Sequence, residues 1–130
     1  MSTKFIEYKN FIKISAHLVN HGYITHWNRV DDNGADFICI HNRTCAIFKI
    51  QLKSRITVDP KKYAGKNIFM AFPKREKFPN KDWVIVKHDA LLKIYHNMIT
   101  PNKIRSSPNV PNKDWNAIKK ISIIPPFDFS

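Results

Sequence analysis

The pattern of hydrophobic and polar residues predicts a helix at the start of the chain. Residues 3–20 carry apolar positions at helical spacing, and Gly22 stands just past the end as a stop signal. Glu7 falls on the apolar side of this helix, where it either interacts with the positive helix end or points at a site on the sheet. The apolar residues fall in one broad arc around the helix axis, and this face is expected to cover a core: Phe5, Tyr8, Phe11, Ile12, Ile14, Ala16, Leu18 and Val19.

Two apolar runs joined by a polar turn predict a β-hairpin. The runs are Phe37–Ile40 and Ala46–Leu52, and the turn is His41–Thr44. A symmetric hairpin pairs residues whose numbers add up to 87, which places Asp36 opposite Gln51. The two side chains are therefore expected to touch.

Strand alternation predicts a polar cluster on this hairpin. Lys49, Gln51 and Lys53 point to one face, because residues two apart share a face of a strand. Burying such groups is costly unless each finds a partner, so the pattern indicates a functional site. The alternative is a hairpin in which Lys53 merely neutralises a half-buried Asp36.

The rest of the chain predicts a single mixed α/β (α+β) domain spanning residues 1–130. The turn at Asp31–Gly34 leads into the hairpin, and loops are expected at Lys74–Asp82 and Met98–Asn112. Further strands are expected at Tyr23–Arg29, Asn67–Phe72 and Trp83–His88. Three further helices are expected: a short one directly after Asp59, one at Asp89–Asn97 and one from Asp114 to Lys120.

Composition changes this picture mainly through charge. The chain carries 22 Lys and Arg against 10 Asp and Glu, a net charge of +12. A small domain this basic favours a polyanion as partner, although a basic surface kept for solubility is the alternative. The N-terminus lacks the apolar core of a signal peptide, and no apolar run approaches the roughly 20 residues of a membrane helix. We therefore expect a cytoplasmic protein without a membrane partner.

The two cysteines, Cys39 and Cys45, are out of register for a disulfide and are expected as free thiols. Together with His41 they supply three zinc ligands without a second ligand pair, so a zinc site is disfavoured.

With Asp36, Gln51-x-Lys53 on the hairpin and Glu7 in the preceding helix, the chain resembles the PD-(D/E)XK nuclease superfamily. The resemblance covers roughly the first two-thirds of the chain and implies a restriction-endonuclease-like αβββαβ core, with a mixed central sheet flanked by helices. Two positions depart from the family pattern. Ala35 stands in place of the proline, and Gln51 replaces the acid, which removes one negative charge from the site while keeping a carbonyl oxygen.

The resemblance implies a magnesium- or manganese-dependent DNA endonuclease, a phosphodiester hydrolase. The metal would be held by Asp36, Gln51, Glu7 and the backbone carbonyl of Leu52, and the catalytic set would be Asp36, Gln51, Lys53 and Glu7. Cleavage of a duplex by so small a domain favours a homodimer. Contacts to the DNA backbone are expected from residues on the hairpin and nearby loops: Lys49, Ser54, Arg55, Lys61, Lys62, Lys66, Lys74 and Arg75.

Two other functions remain open at this point. The first is a protein of the same fold that binds nucleic acid without cutting it, within a restriction, repair or mobile-element system; Gln51 favours this alternative. The second is a protein that binds or cleaves RNA.

Overall fold

The computed structural model describes residues 3–32, 35–74, 82–95, 105–107 and 110–128. The helices are α1 (Thr3–Asn20), α2 (Pro60–Tyr63), α3 (His88–Ile94) and α4 (Asn112–Lys120). The strands are β1 (Tyr23–Asp32), β2 (Ala35–His41), β3 (Ile47–Leu52), β4 (Ile56–Val58), β5 (Ile68–Pro73), β6 (Asp82–Lys87), β7 (Arg105–Ser107) and β8 (Phe127–Asp128). Within the described segments, no helix is long and apolar enough to cross a membrane.

Six strands form one mixed sheet in the order β1-β2-β3-β5-β6-β8. The first three form the expected antiparallel meander, and β3 then pairs in parallel with β5. A parallel pair requires a crossover, and here the crossover carries β4 and α2. The protein is therefore a mixed α/β fold whose sheet is flanked by helices, as the sequence predicts.

Helix α1 has the predicted bounds, but the predicted core face is too wide. Phe11, Ile14 and Leu18 are buried against the sheet, and Glu7 continues the same line one turn earlier, half-buried. The sheet covers a narrow line of the helix, which helical periodicity alone does not define. Five residues of the predicted face are exposed instead: Phe5, Tyr8, Ile12, Ala16 and Val19.

The two faces of the sheet bury separate cores. Helix α1 packs on one face, over Phe37, Ile50 and Leu52 of the hairpin. The other face of β5 and β6 is covered by α3, α4, β4 and α2, with Tyr63 fully enclosed. The end of β3 is reached from both sides, because α1 covers Leu52 on one face and Tyr63 of α2 lies beside Lys53 on the other.

Several boundaries differ from the predictions. Strand β1 continues to Asp32, through part of the predicted turn, and His88 begins α3 rather than ending a strand. Helix α4 begins at Asn112, so Asp114 lies in its first turn and does not cap it. Helix α2 is confirmed: Asp59 caps it, and Gly65 follows with a φ of 72°.

Strands β4 and β7, which pair with each other, were not predicted. β7 falls inside the segment expected as a loop from Met98 to Asn112. Residues 75–81 of the first expected loop, residues 98–104 and 108–109 of the second, and residues 96–97 at the end of the expected third helix lie outside the described residues. Three-residue strands give too short an alternation for the sequence pattern to identify.

Two isoleucines on α1 separate core packing from surface exposure. Ile14 is fully buried and Ile12 is 53% exposed. Ile14→Ala is expected to lower the free energy of unfolding by about 2–4 kcal/mol, because it leaves a cavity under the sheet. Ile12→Ala, the matched control, is expected to change it by less than about 1 kcal/mol in urea denaturation at low protein concentration. Equal losses in the two variants would contradict this assignment of the core line.

Candidate functional site

The β2–β3 hairpin has the predicted register. Phe37 lies opposite Ile50 and Ile40 opposite Ile47, so the paired numbers add up to 87. At the open end of the hairpin, Oδ2 of Asp36 accepts a hydrogen bond of 2.8 Å from the backbone N–H of Leu52. This bond places the Asp36 carboxylate beside the polar end of β3.

A cleft of about 250 Å³ opens where β3 ends and the first turns of α1 pass over it. It brings together four of the five residues predicted for catalysis and metal binding, and the carboxylate of the fifth, Asp36, adjoins it through the hydrogen bond to Leu52. The lining residues are Ile6, Glu7 and Asn10 from α1 and Gln51, Leu52, Lys53 and Ser54 from β3 and its continuation.

Asn10 lies outside the apolar arc of α1 and was not predicted as a site residue, yet it is half-buried and lines the cleft. Its position three residues after Glu7 was the available signal, because such residues are neighbours on a helix surface. Asn10 adds an amide, and hence both a hydrogen-bond donor and an acceptor, to the wall that carries the Glu7 carboxylate.

Lys53 is the charged centre of the site. Its backbone N–H donates to the carbonyl of Ala71 at 2.9 Å, which extends the β3–β5 pairing by one residue and fixes where the side chain starts. Burial lowers the pKa of the Lys53 ammonium, and the neighbouring charge of Lys62 lowers it further. The carboxylates of Asp36, Asp59 and Glu7 oppose this shift.

The ring of Tyr63, at the end of α2, lies under two cations. The Nζ atoms of Lys53 and Lys62 are 5.8 Å and 5.4 Å from its centroid, within the range of a cation–π interaction. Tyr63 was not predicted as a site residue, because nothing in the sequence indicates that α2 packs beside β3. Two ammonium groups held over one ring form a local concentration of positive charge.

A buried histidine positions α2. His88 is fully buried in α3, and its Nε2 accepts a hydrogen bond of 3.0 Å from the backbone N–H of Asp59. The Asp59 carboxylate in turn accepts the N–H of Lys62 at 3.1 Å, which caps α2. Asp89, next to His88, accepts the N–H of Gly65 at 3.2 Å just after α2. Both ends of α2 are therefore tied to α3.

The other residues predicted to contact DNA differ in their exposure and in the element that carries them. Lys61 and Lys62 are exposed on α2, and Lys49 lies on β3 two residues before Gln51, half-buried. Arg55 and Lys66 are exposed and Lys74 is half-buried, while Arg75 lies outside the described residues. Of the predicted contacts, Ser54 lines the cleft and Lys62 adjoins Lys53.

The three residues considered as zinc ligands, Cys39, His41 and Cys45, lie in different environments on the hairpin. Cys39 is buried in the core, where burial raises the pKa of its thiol to about 12, and Cys45 is exposed; both are free thiols. Nδ1 of His41 accepts the N–H groups of Arg43 and Thr44 in the turn. Across the described ranges, no group of three or more His, Cys, Asp or Glu residues is placed to hold a metal ion.

Comparisons with known proteins provide no relative from which this site can be interpreted. No protein-family model, curated protein or solved structure matches the chain. The functional assignment therefore rests on the residues around the cleft and their chemistry.

The support of α2 by His88 predicts a pH dependence of stability. Burial lowers the pKa of His88 below its ordinary value, so the unfolded chain binds the proton more readily than the folded chain. The free energy of unfolding is therefore expected to fall as the pH drops below about 6.5. His88→Gln should flatten this slope between about pH 7.5 and 5.5 in urea denaturation, and His26→Gln, at an exposed position, should not. Unchanged slopes in both variants would contradict the role of His88.

Proposed function

We propose that this protein is a metal-dependent endodeoxyribonuclease whose active site comprises Asp36, Gln51, Lys53 and Glu7. The observation that carries the proposal is the half-buried ammonium of Lys53, which sits near the carboxylates of Asp36 and Glu7 at the end of an open cleft. Catalysis of phosphodiester hydrolysis needs positive charge and hard oxygen ligands at one place. This cleft combines the two.

The donor set fits a hard divalent cation such as Mg²⁺ or Mn²⁺. Asp36 and Glu7 supply carboxylates, Gln51 supplies an amide oxygen, and Leu52 supplies a backbone carbonyl. When bound, the cation would polarise the phosphate and lower the pKa of an attacking water. With Gln51 in place of an acid, the protein contributes fewer negative charges, which favours weak binding that the substrate phosphate strengthens.

The side chains around Lys53 favour an anionic substrate. Burial and the charge of Lys62 both disfavour the Lys53 ammonium, and the negative charge of an incoming phosphate would offset both effects. Lys53 would hold the attacking water or the charge that grows on the phosphate oxygens, and Lys62 with Ser54 would contact a neighbouring phosphate. The net charge of +12 supports capture of a long polyanion rather than a single nucleotide.

Lys53→Ala tests the catalytic role. The variant is expected to cleave plasmid DNA at least about 100-fold more slowly in Mg²⁺ or Mn²⁺, because it removes a charge aimed at the developing negative charge. Lys87→Ala, at an exposed position on β6, is the matched control and should cleave at the wild-type rate. If wild type and Lys53→Ala cleave alike, or neither cleaves linear or branched DNA, the catalytic proposal is wrong.

A second candidate is a protein of this fold that binds DNA without cutting it. The observation that favours it is the neutral Gln51, which lies next to the one carboxylate of β2 at this end of the hairpin. Salt-dependent DNA binding without cleavage, and without uptake of Mg²⁺, would select this function.

Substitution at Gln51 separates the two candidates. Gln51→Glu is expected to bind Mg²⁺ about 10-fold more tightly in calorimetry, because it adds a negative charge to the oxygen ligands. Gln51→Met keeps a similar volume but removes the amide oxygen, and should bind Mg²⁺ less tightly than wild type. If all three proteins bind Mg²⁺ equally, Gln51 is not a ligand. If none binds it while all bind DNA, the second candidate is correct.

A further inference from the structure

Helix α1 presents an apolar stripe to solvent on the side away from the cleft. Four of its members are between 46% and 61% exposed, which is unusual for side chains of this size grouped on one helix. They fall within about 80° of each other around the helix axis, beside the line that packs on the sheet. The stripe consists of Phe5, Tyr8, Ile12, Ala16 and Val19.

The spacing of the stripe is symmetric about Ile12. Tyr8 and Ala16 are each four residues from Ile12, and Phe5 and Val19 are each seven residues from it. We propose that α1 pairs with α1 of a second copy of this chain, antiparallel, around a two-fold axis at Ile12. In such an interface the same patch serves both copies.

The pairing matches large side chains with small ones. Residues whose numbers add up to 24 face each other across the axis, so Phe5 packs against Val19 and Tyr8 against Ala16 of the other copy. Ile12 meets its own counterpart at the centre. This complementarity holds at the four positions other than Ile12 and requires the antiparallel direction, since a parallel pair would place Phe5 against Phe5 and Tyr8 against Tyr8.

The lysines that flank the stripe oppose this pairing in part. Lys9 and Lys4 are exposed beside the stripe, on its two opposite edges. A two-fold axis brings the same edge of both copies together, so each lysine lies on the same edge of the interface as its counterpart. The net charge of +12 on each copy also opposes association, which makes the dimer dependent on salt.

The available area fits a modest dimer. Half-exposed side chains of this size leave on the order of 100 Å² each, so the stripe contributes on the order of 400 Å² per copy. The neighbouring side chains must contribute a similar area to reach the roughly 800 Å² per partner of a standard interface. A concentration-dependent dimer is therefore expected rather than an obligate one.

If the proposed nuclease function holds, the pairing also arranges two clefts. Glu7 lies five residues before Ile12, so the two Glu7 residues would be separated by ten residues, or about 15 Å, along the helix axes. This distance is the axial component of their separation. Because the stripe lies on the side of α1 away from the cleft, the two clefts would open away from the shared interface.

The solution mass of the full chain tests the interface without reference to cleavage. Sedimentation or light scattering from about 1 to 500 µM should show a dimer that strengthens as salt is raised. Ile12→Glu should weaken the dimer at least about 100-fold, because two carboxylates then meet at the axis. Ile47→Glu makes the same change at an exposed isoleucine of β3 and should leave the dimer intact. A monomeric wild type over this range, or equal effects of the two variants, would overturn the proposal.

A pair of variants tests the antiparallel direction. Phe5→Lys and Val19→Glu should each be monomeric alone at concentrations where the wild type is dimeric. Their mixture should form a heterodimer in which lysine faces glutamate at one end and Phe5 faces Val19 at the other. No heterodimer in the mixture, with circular dichroism showing both variants folded, would overturn the pairing.

A membrane surface is the alternative occupant, because lysines flank an apolar stripe. If the stripe is a dimer interface instead, co-sedimentation with anionic phosphatidylserine vesicles should be weak and unchanged by Ile12→Glu. Vesicle binding that Ile12→Glu abolishes would replace the dimer proposal. Loss of dimerisation in Ile12→Glu with single-strand nicking retained would support both the interface and the proposed nuclease function, whereas a dimer without any cleavage would leave the interface standing and count against the nuclease.

Discussion

The hydrogen bond from the Leu52 N–H to the Asp36 carboxylate closes the open end of the β2–β3 hairpin. The register of these two strands determines which side chains of β3 line the cleft. Side chains on a strand alternate, so a slip of one residue would turn Gln51 and Lys53 into the apolar core and turn Ile50 and Leu52 out of it. The apolar core under α1 prevents that slip, because Ile50 is fully buried there. The packing of one face of β3 therefore determines which polar groups stand on the other.

The electrostatic environment of the cleft comes from elements that are distant in sequence. The parallel pairing of β3 with β5 requires a crossover, and α2 in that crossover brings Tyr63 and Lys62 beside Lys53. His88 of α3 then holds α2 in place by accepting a hydrogen bond from the backbone N–H of Asp59. A half-buried ammonium is costly to maintain, and the structure offsets that cost with three carboxylates and an aromatic ring.

Sequence reasoning was most successful where local symmetry or local capping determined the structure. The hairpin register followed from the placement of one polar turn, and the bounds of α1 and the cap of α2 followed from Gly22 and Asp59. It failed where packing between elements determined the structure. The apolar residues of a helix do not reveal which of them the sheet covers. His88 is buried in α3 because β6 ends at Lys87, one residue earlier than the sequence pattern predicts. Tyr63 belongs to the site only through packing between elements, whereas the position of Asn10 three residues after Glu7 was a usable signal. The resemblance to the nuclease superfamily remains a prediction.

The two thiols of the hairpin differ in a way that is useful for experiments on this molecule. Cys39 is enclosed and its high pKa keeps it protonated, so reagents that attack thiolates will react with Cys45 alone. Cys45 precedes β3, and the cleft lies past the far end of that strand, roughly 20 Å away for six extended residues. The native chain thus carries a single attachment point for a fluorophore or spin label, far enough from the cleft to leave it unobstructed and close enough to report on a molecule bound there.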